Sequence, residues 1–353
     1  MRKFMVDSLK EDHDVIVISI GKPNYNIKGE IRIINILNER LGFILQRLGL
    51  ISDYLILWKL KSFKYLNYNS IKIDYIISTS GGELGTIQLG NLLGNSFKVP
   101  HLIHLRDPII YSLVNNLRIN SKFHVSREYW EKKEYLKADN IVTTSRVNLE
   151  SIKLKFPEVQ NKLHFSPIGY VNTIKIFNKE KYNEQTINIV YGGNSGALQK
   201  PEKFLKFFKR FSNVKIYFFG DFNLKVKSEN VVVLDKLPKK EFERFLNERI
   251  HVGLVSLTSE YLGACIPAKL FEYIGLEIPI IGILPDGDAK EIIINNNFGI
   301  VVDDSTELEL NNFLCNKHLL EISNNISLHK DKFSMSQNIG IIKKIINEGK
   351  NKL

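Results

Sequence analysis

Apolar and polar positions along this chain follow two alternating patterns. Short runs rich in β-branched residues recur at 14–20, 74–80, 101–105, 140–144 and 162–166. They recur again at 187–191, 214–219, 231–234, 251–257, 278–282 and 299–302. Between many of them lie longer stretches with helical spacing, among them 127–138, 201–211 and 336–348. Continuous apolar strands separated by helices predict parallel sheets covered on both faces. The pattern runs twice, so the reading is an α/β protein of two Rossmann-like, doubly wound domains facing a cleft. Residues 1–172 form the first domain, 173–332 the second, and a terminal helix in 333–353 folds back toward the first. The linker falls in 169–181, rich in Asn, Lys and Thr. Ligands of such domains bind at the carboxyl ends of the strands. The opening is irregular: 1–11 reads as helix, where a doubly wound domain starts with a strand and a turn, so a first strand is missing.

Composition adds limits. With 44% hydrophobic and 25% charged residues the chain builds an ordinary globular core. Cys265 and Cys315 lie far apart, outside any ligand spacing, and read as reduced thiols of a cytoplasmic protein. No apolar stretch reaches the length of a membrane span. The net charge of +11 is uneven: residues 1–171 carry 24 Lys and Arg against 16 Asp and Glu. Within 21–72 nine basic residues meet three acidic ones, interleaved with Leu41, Phe43, Ile44, Leu57, Trp58, Leu60 and Tyr65. On helices that mixture points to the anionic inner face of a membrane, or else to core-facing helices with basic outer faces. No nucleic-acid motif accompanies the charge, so no nucleic-acid partner is expected.

One run concentrates the chemistry: Ile266-Pro267-Ala268-Lys269-Leu270-Phe271-Glu272-Tyr273, followed by Pro279-Ile280-Ile281-Gly282. Pro267 suits a first helical position, and the amides after it, with the helix dipole and Lys269, make an anion site. Glu272, three residues on, shares that face and could accept bonds from a diol. Spacing alone leaves a solvated Lys–Glu pair equally open. The turn Gly192-Gly193-Asn194-Ser195-Gly196 reads either as a close approach of backbone to ligand or as a plain strand-to-helix turn.

With these elements in order, the chain resembles bacterial glycosyltransferases of family 4, the group-1 class with the GT-B fold, of surface-polysaccharide type. The resemblance rests on Pro267-x-Lys269-Leu270-Phe271-Glu272-Tyr273, Pro279 to Gly282, and Glu291 with Phe298-Gly299-Ile300-Val301-Val302. It extends to Ser78-Thr79-Ser80-Gly81-Gly82, Leu105-Arg106-Asp107-Pro108 and the segment 131–145. It implies a retaining sugar transfer from a UDP- or GDP-linked donor to a hydroxyl of a sugar or lipid-linked oligosaccharide, in capsule, lipopolysaccharide or exopolysaccharide synthesis. No metal or other cofactor is implied. Donor-binding positions are Gly192, Gly193, Gly196, Lys200, Lys269, Leu270, Phe271 and Glu272; Leu270 and Phe271 serve through their amides. Asp107 and Lys269 are the catalytic positions, and Gly81, Gly82 and Arg106 line the acceptor side.

Two departures accompany it. Ala264 stands where the family often has a sugar-contacting Glu, and Arg106 where it often has His. The missing first strand implies a truncated or late start. A non-catalytic nucleotide-sugar-binding relative and a nucleotide-sugar 2-epimerase of the same fold are the alternatives.

Overall fold

Every strand expected from an apolar run forms, close to its expected ends. The computed structural model describes residues 2–20, 30–33, 37, 39–69, 71–109, 122–171, 177–193, 199–222, 228–258, 263–303 and 305–350. The chain divides into two units: Met1–Pro167 with Asn338–Leu353, and Ile168–Gln337.

The first unit begins with α1 (Arg2–Leu9), β1 (Val17–Ile20), β2 (Glu30–Ile33), α2 (Glu39–Arg47) and α3 (Ile56–Tyr68). It continues through β3 (Ile76–Ser80), α4 (Gly85–Phe97), β4 (His101–Leu105), α5 (Lys122–Lys137), β5 (Asn140–Thr143), α6 (Arg146–Lys155) and β6 (Leu163–Phe165). The order β3-β4-β5-β6 makes a parallel four-stranded sheet, and β1 and β2 pair parallel beside it in sequence. Strand β2 corrects the reading of 21–72 as helices alone. Its four residues, Glu-Ile-Arg-Ile, are too few for periodicity to separate strand from helix. In the fold, Ile31 and Ile33 join Ile18 and Ile20 in the cluster around Trp58 and Leu66 of α3. Strand β4 is buried along its whole length, as a strand covered on both faces should be.

The second unit holds β7 (Ile187–Gly192), α7 (Leu205–Phe208), β8 (Val214–Phe219), β9 (Val231–Leu234), α8 (Lys239–Arg249) and β10 (Val252–Ser256). Then come α9 (Ala268–Gly275), β11 (Ile280–Ile283), α10 (Asp288–Asn295), β12 (Gly299–Val301), α11 (Glu307–Phe313) and α12 (Asn316–His329). The expected helix 201–211 is a 3-10 turn, Pro201–Phe204, followed by the single α turn of α7. Its crowded aromatic residues, Phe204, Phe207, Phe208 and Phe211, are weak helix formers. The sheet order is β12-β11-β10-β7-β8-β9, all parallel. Successive strands build outward on one side of β7 and then on the other. The reversal between β7 and β10 is a topological switch point, where a doubly wound sheet binds its ligand.

The last helix, α13 (Met335–Lys350), starts at the edge of the second unit and belongs for most of its length to the first. Ile345 packs on Leu102 and Val142, while Lys343 bridges Glu11 at 2.9 Å and Asp12 at 2.8 Å. Beside the crossing, Tyr170 N–H donates to Phe333 O and Met335 N–H donates to Tyr170 O, both at 3.0 Å.

His101 in β4 is structural. Its Nε2 meets Ser78 Oγ and its Nδ1 meets Asn91 Oδ1, and burial pushes its pKa down to about 3. The folded state therefore refuses a proton that the unfolded chain accepts. The stability this confers is complete above the ordinary histidine value and is lost as pH falls through it toward 3. The loss is about 1.4 kcal/mol per pH unit. His101→Gln removes that dependence, so the gap in unfolding free energy between wild type and variant narrows from about pH 7 to about pH 5. Urea titrations at the two pH values check this, and a constant gap contradicts it.

Candidate functional site

The carboxyl edge of the second unit's sheet gathers its unusual groups at the β7/β10 switch point. Strand β7 ends at Gly192-Gly193, and Gly193 has φ +136°, a conformation that L side chains rarely adopt. A Cβ there would also lie 3.2 Å from Lys269 Nζ, so the ammonium lies close against this turn. Lys269 is the second residue of α9. Its Nζ stands 3.5 Å from the centroid of the buried Tyr191 ring, a cation–π contact. Among the described residues no carboxylate comes within ion-pair distance of it. Loss of hydration brings its pKa down to about 7, against the opposing attraction of Glu272.

Pro267 caps α9 without a side-chain bond, and Leu270 N–H donates to Pro267 O at 3.0 Å. The Leu270 amide is thus already engaged. The first-turn amides of Ala268 and Lys269 have no partner among the described residues, and the positive end of the helix dipole adds to them. Leu270 and Phe271 send their side chains into the core. Glu272, one turn further along α9, is exposed at a small pocket lined by Phe242 and Glu243 of α8 and by Tyr170. The protein packed around its carboxyl raises the pKa above the usual range; Lys239 opposes the shift and Glu243 adds to it. Lys200 is exposed, with a positive φ of 36° immediately before Pro201. Gly196 lies outside the described residues.

In the first unit the ends of β3, β4 and β5 carry the second constellation. Ser80 Oγ donates to Glu83 O at 2.7 Å and accepts from Gly82 N–H at 3.1 Å, while Gly81 N–H donates to Glu83 Oε2 at 2.8 Å. A Cβ on Gly81 would lie 2.8 Å from Arg106 Nη2 and 3.4 Å from Asp107 Oδ2, so both side chains converge on this loop. Arg106 is held through its backbone: its N–H donates to Ser80 O at 2.9 Å and its O accepts from Thr144 Oγ1 at 2.8 Å. The residues predicted for this side, Gly81, Gly82, Arg106 and Asp107, lie together.

Sequence reasoning missed what fixes that loop. Asp53 is wholly buried; Oδ1 accepts from Leu55 N–H at 3.0 Å and Oδ2 from Leu84 N–H at 2.9 Å. Arg127 of α5, 2% exposed, reaches the same carboxylate at 3.0 Å and donates to Ser52 O and Gly82 O, each at 2.9 Å. Asp53 and Arg127 lie 74 positions apart, so no local spacing announces them. Glu83 stood one residue beyond Gly81-Gly82 and could have been found as a carboxylate on a strand-end loop.

No protein-family profile and no curated protein matches this chain. Solved structures do match. Sucrose-phosphate synthase from Thermosynechococcus elongatus aligns at 11% identity over 98% of this chain and 92% of its own, with a TM-score of 0.73. Alr3699/HepE of Anabaena, solved with UDP-glucose, aligns at 9% identity over 94% and 99%, with a TM-score of 0.62. The lipopolysaccharide outer core galactosyltransferase WaaB, in its apo form, aligns at 11% identity over 90% and 84%, with a TM-score of 0.58. At such identities the likeness speaks for the fold, which is GT-B: two Rossmann-like units.

Asp53→Ala leaves the Arg127 guanidinium buried without its carboxylate and should cost about 3–5 kcal/mol of stability. Asp53→Ala with Arg127→Met should recover a good part of that loss, because the unpaired charge goes too. Chemical denaturation of the two variants decides it; a single-variant loss below about 1 kcal/mol would contradict a paired core ion.

Proposed function

We propose that this chain is a retaining, metal-independent glycosyltransferase that moves a sugar from a nucleotide-sugar donor to a hydroxyl of a sugar or lipid-linked acceptor. The observation that carries the reading is Lys269: an ammonium without a carboxylate partner among the described residues, under a glycine turn, beside two unpartnered helix amides and at the switch point. A partly buried cation without an anion is costly, and a diphosphate supplies the missing charge.

In this reading the donor diphosphate takes the Ala268 and Lys269 amides and the Lys269 ammonium, with Gly193 letting it approach the backbone. Lys200 adds charge from the exposed side. Glu272 accepts bonds from the ribose diol; ionised it is acceptor-only, so the donor draws the carboxyl back toward its charged form. As the glycosidic bond to phosphate breaks, negative charge grows on the leaving oxygen, and the ammonium and amides stabilise it where a divalent cation would otherwise act. From the family resemblance, Asp107 and Arg106 of the first unit are the residues assigned to the acceptor. The incoming hydroxyl approaches on the face the nucleotide leaves, its proton passing to the departing phosphate oxygen, so the sugar keeps its anomeric configuration. HepE was solved with UDP-glucose, and WaaB is a lipopolysaccharide galactosyltransferase. The first supports a UDP-linked donor in this reading, and the second a role in lipopolysaccharide synthesis.

Three outcomes test this. UDP- and GDP-sugars, each with a sugar acceptor, should release nucleoside diphosphate and give a product of retained configuration, unaffected by EDTA; no turnover with any donor would sink the reading. Glu272→Ala should weaken donor binding by about tenfold or more in calorimetry, by loss of charge-assisted bonds. Because the diphosphate favours the protonated ammonium, donor affinity should hold below about pH 7 and fall above it by up to about tenfold per unit. Lys269→Met should flatten that profile. An equally steep fall in the variant would assign the titration elsewhere.

A further inference from the structure

Helix α2 is built inside out. The residues it buries are Gly42 and Gln46, one turn apart, with Gln46 Oε1 accepting from Tyr54 N–H at 3.1 Å. The residues it exposes are Leu41 (49%), Phe43 (44%) and Ile44 (54%), and just past its end Leu48 and Leu50 stand 67% exposed on either side of Gly49. A surface helix of a globular domain does the reverse, facing its apolar stripe to the core. Helix α3, which follows α2 in the chain, buries Trp58, Ser62 and Leu66 and likewise exposes Leu57, Leu60, Tyr65 and Tyr68. Among the described residues, nine of the 22 exposed large hydrophobic ones thus fall within 41–68, far too concentrated for ordinary scatter.

Among the described residues the exposed charges of this surface share one sign. Lys61 and Lys64 of α3 are exposed next to the apolar side chains, whereas Asp53, the acid of this segment whose side chain is described, is sealed against Arg127. The ion pair that fixes the Gly81-Gly82 loop also removes a negative charge from the face. We propose that the outer face of α2 and α3 is a docking surface for an anionic lipid bilayer. Leu48 and Leu50 enter the acyl boundary, Tyr65 and Tyr68 lie at headgroup depth, and Lys61 and Lys64 meet lipid phosphates. Charge complementarity selects the occupant: a second copy of this face would set lysines against lysines, while an anionic bilayer takes both the cations and the apolar tip. The proposal adds a surface to the first unit and is independent of the transfer chemistry.

The full chain is mixed with vesicles of phosphatidylcholine alone, or of phosphatidylcholine with phosphatidylglycerol, and sedimented at low and high salt. Binding should require phosphatidylglycerol and weaken at high salt. Lys61→Glu with Lys64→Glu should lower partitioning by about tenfold or more, and Leu48→Ser with Leu50→Ser should lower it without changing its salt dependence. All four positions are exposed, so near-ultraviolet circular dichroism should match wild type. Leu50→Trp gives an independent readout, a blue-shifted emission with anionic vesicles. Equal binding to both vesicle types, or to neither, overturns the proposal. So does a concentration-dependent dimer, seen by sedimentation, that the Leu48→Ser, Leu50→Ser variant abolishes, since it would assign the face to a second copy.

Discussion

The second unit depends on an ammonium that no carboxylate among the described residues pairs with. Taking a cation partly out of water costs free energy, and proteins ordinarily offset it with a paired acid. Lys269 has the face of Tyr191 and the opposing pull of Glu272, yet loss of hydration outweighs both and brings its pKa down to about 7. Around that charge the local structure is explicable: Gly193 is a glycine because of its backbone angle, Pro267 starts α9 without a capping side chain, and the first-turn amides stay open. The strand order brings these parts to one edge. Gly193 follows β7 and Lys269 follows β10, adjacent strands at the point where the winding reverses.

The first unit solves the same problem in the opposite way. Its buried Arg127 has a carboxylate partner: Asp53 neutralises it, and that carboxylate also receives the amides that open into α3 and α4. A buried ion pair of this kind contributes specificity of arrangement more than stability. It fixes the Ser80 to Leu84 loop, over which Arg106 and Asp107 lie. One unit keeps a charge open for an anion; the other closes its charges to hold a loop in place.

How legible this was depended on the range of each interaction. Strands such as His101–Leu105 and Val214–Phe219 were readable because a buried parallel strand is a continuous apolar run. Lys269 and Glu272 were readable because one short helix carries both. Strand β2 was not, since Glu30–Ile33 offers four residues and two periods fit them equally. The Leu270 amide could be assigned to a ligand from sequence, but not its bond to Pro267 O, which depends on how tightly the first turn winds. Asp53 looked like one acid in a basic stretch until the fold brought Arg127 to it. In 39–47 the sequence mixes basic and apolar residues without showing which side of a helix faces inward, and the buried Gln46 reverses the ordinary assumption.

The most direct measurement is a crystal structure of the protein soaked with UDP and, separately, GDP. The account predicts a diphosphate oxygen within hydrogen-bond distance of Lys269 Nζ, the ammonium drawn off the Tyr191 ring, and the Ala268 and Lys269 amides bonded to phosphate. A nucleotide bound with its diphosphate elsewhere, or Lys269 still seated on Tyr191 while the nucleotide is bound, would contradict it.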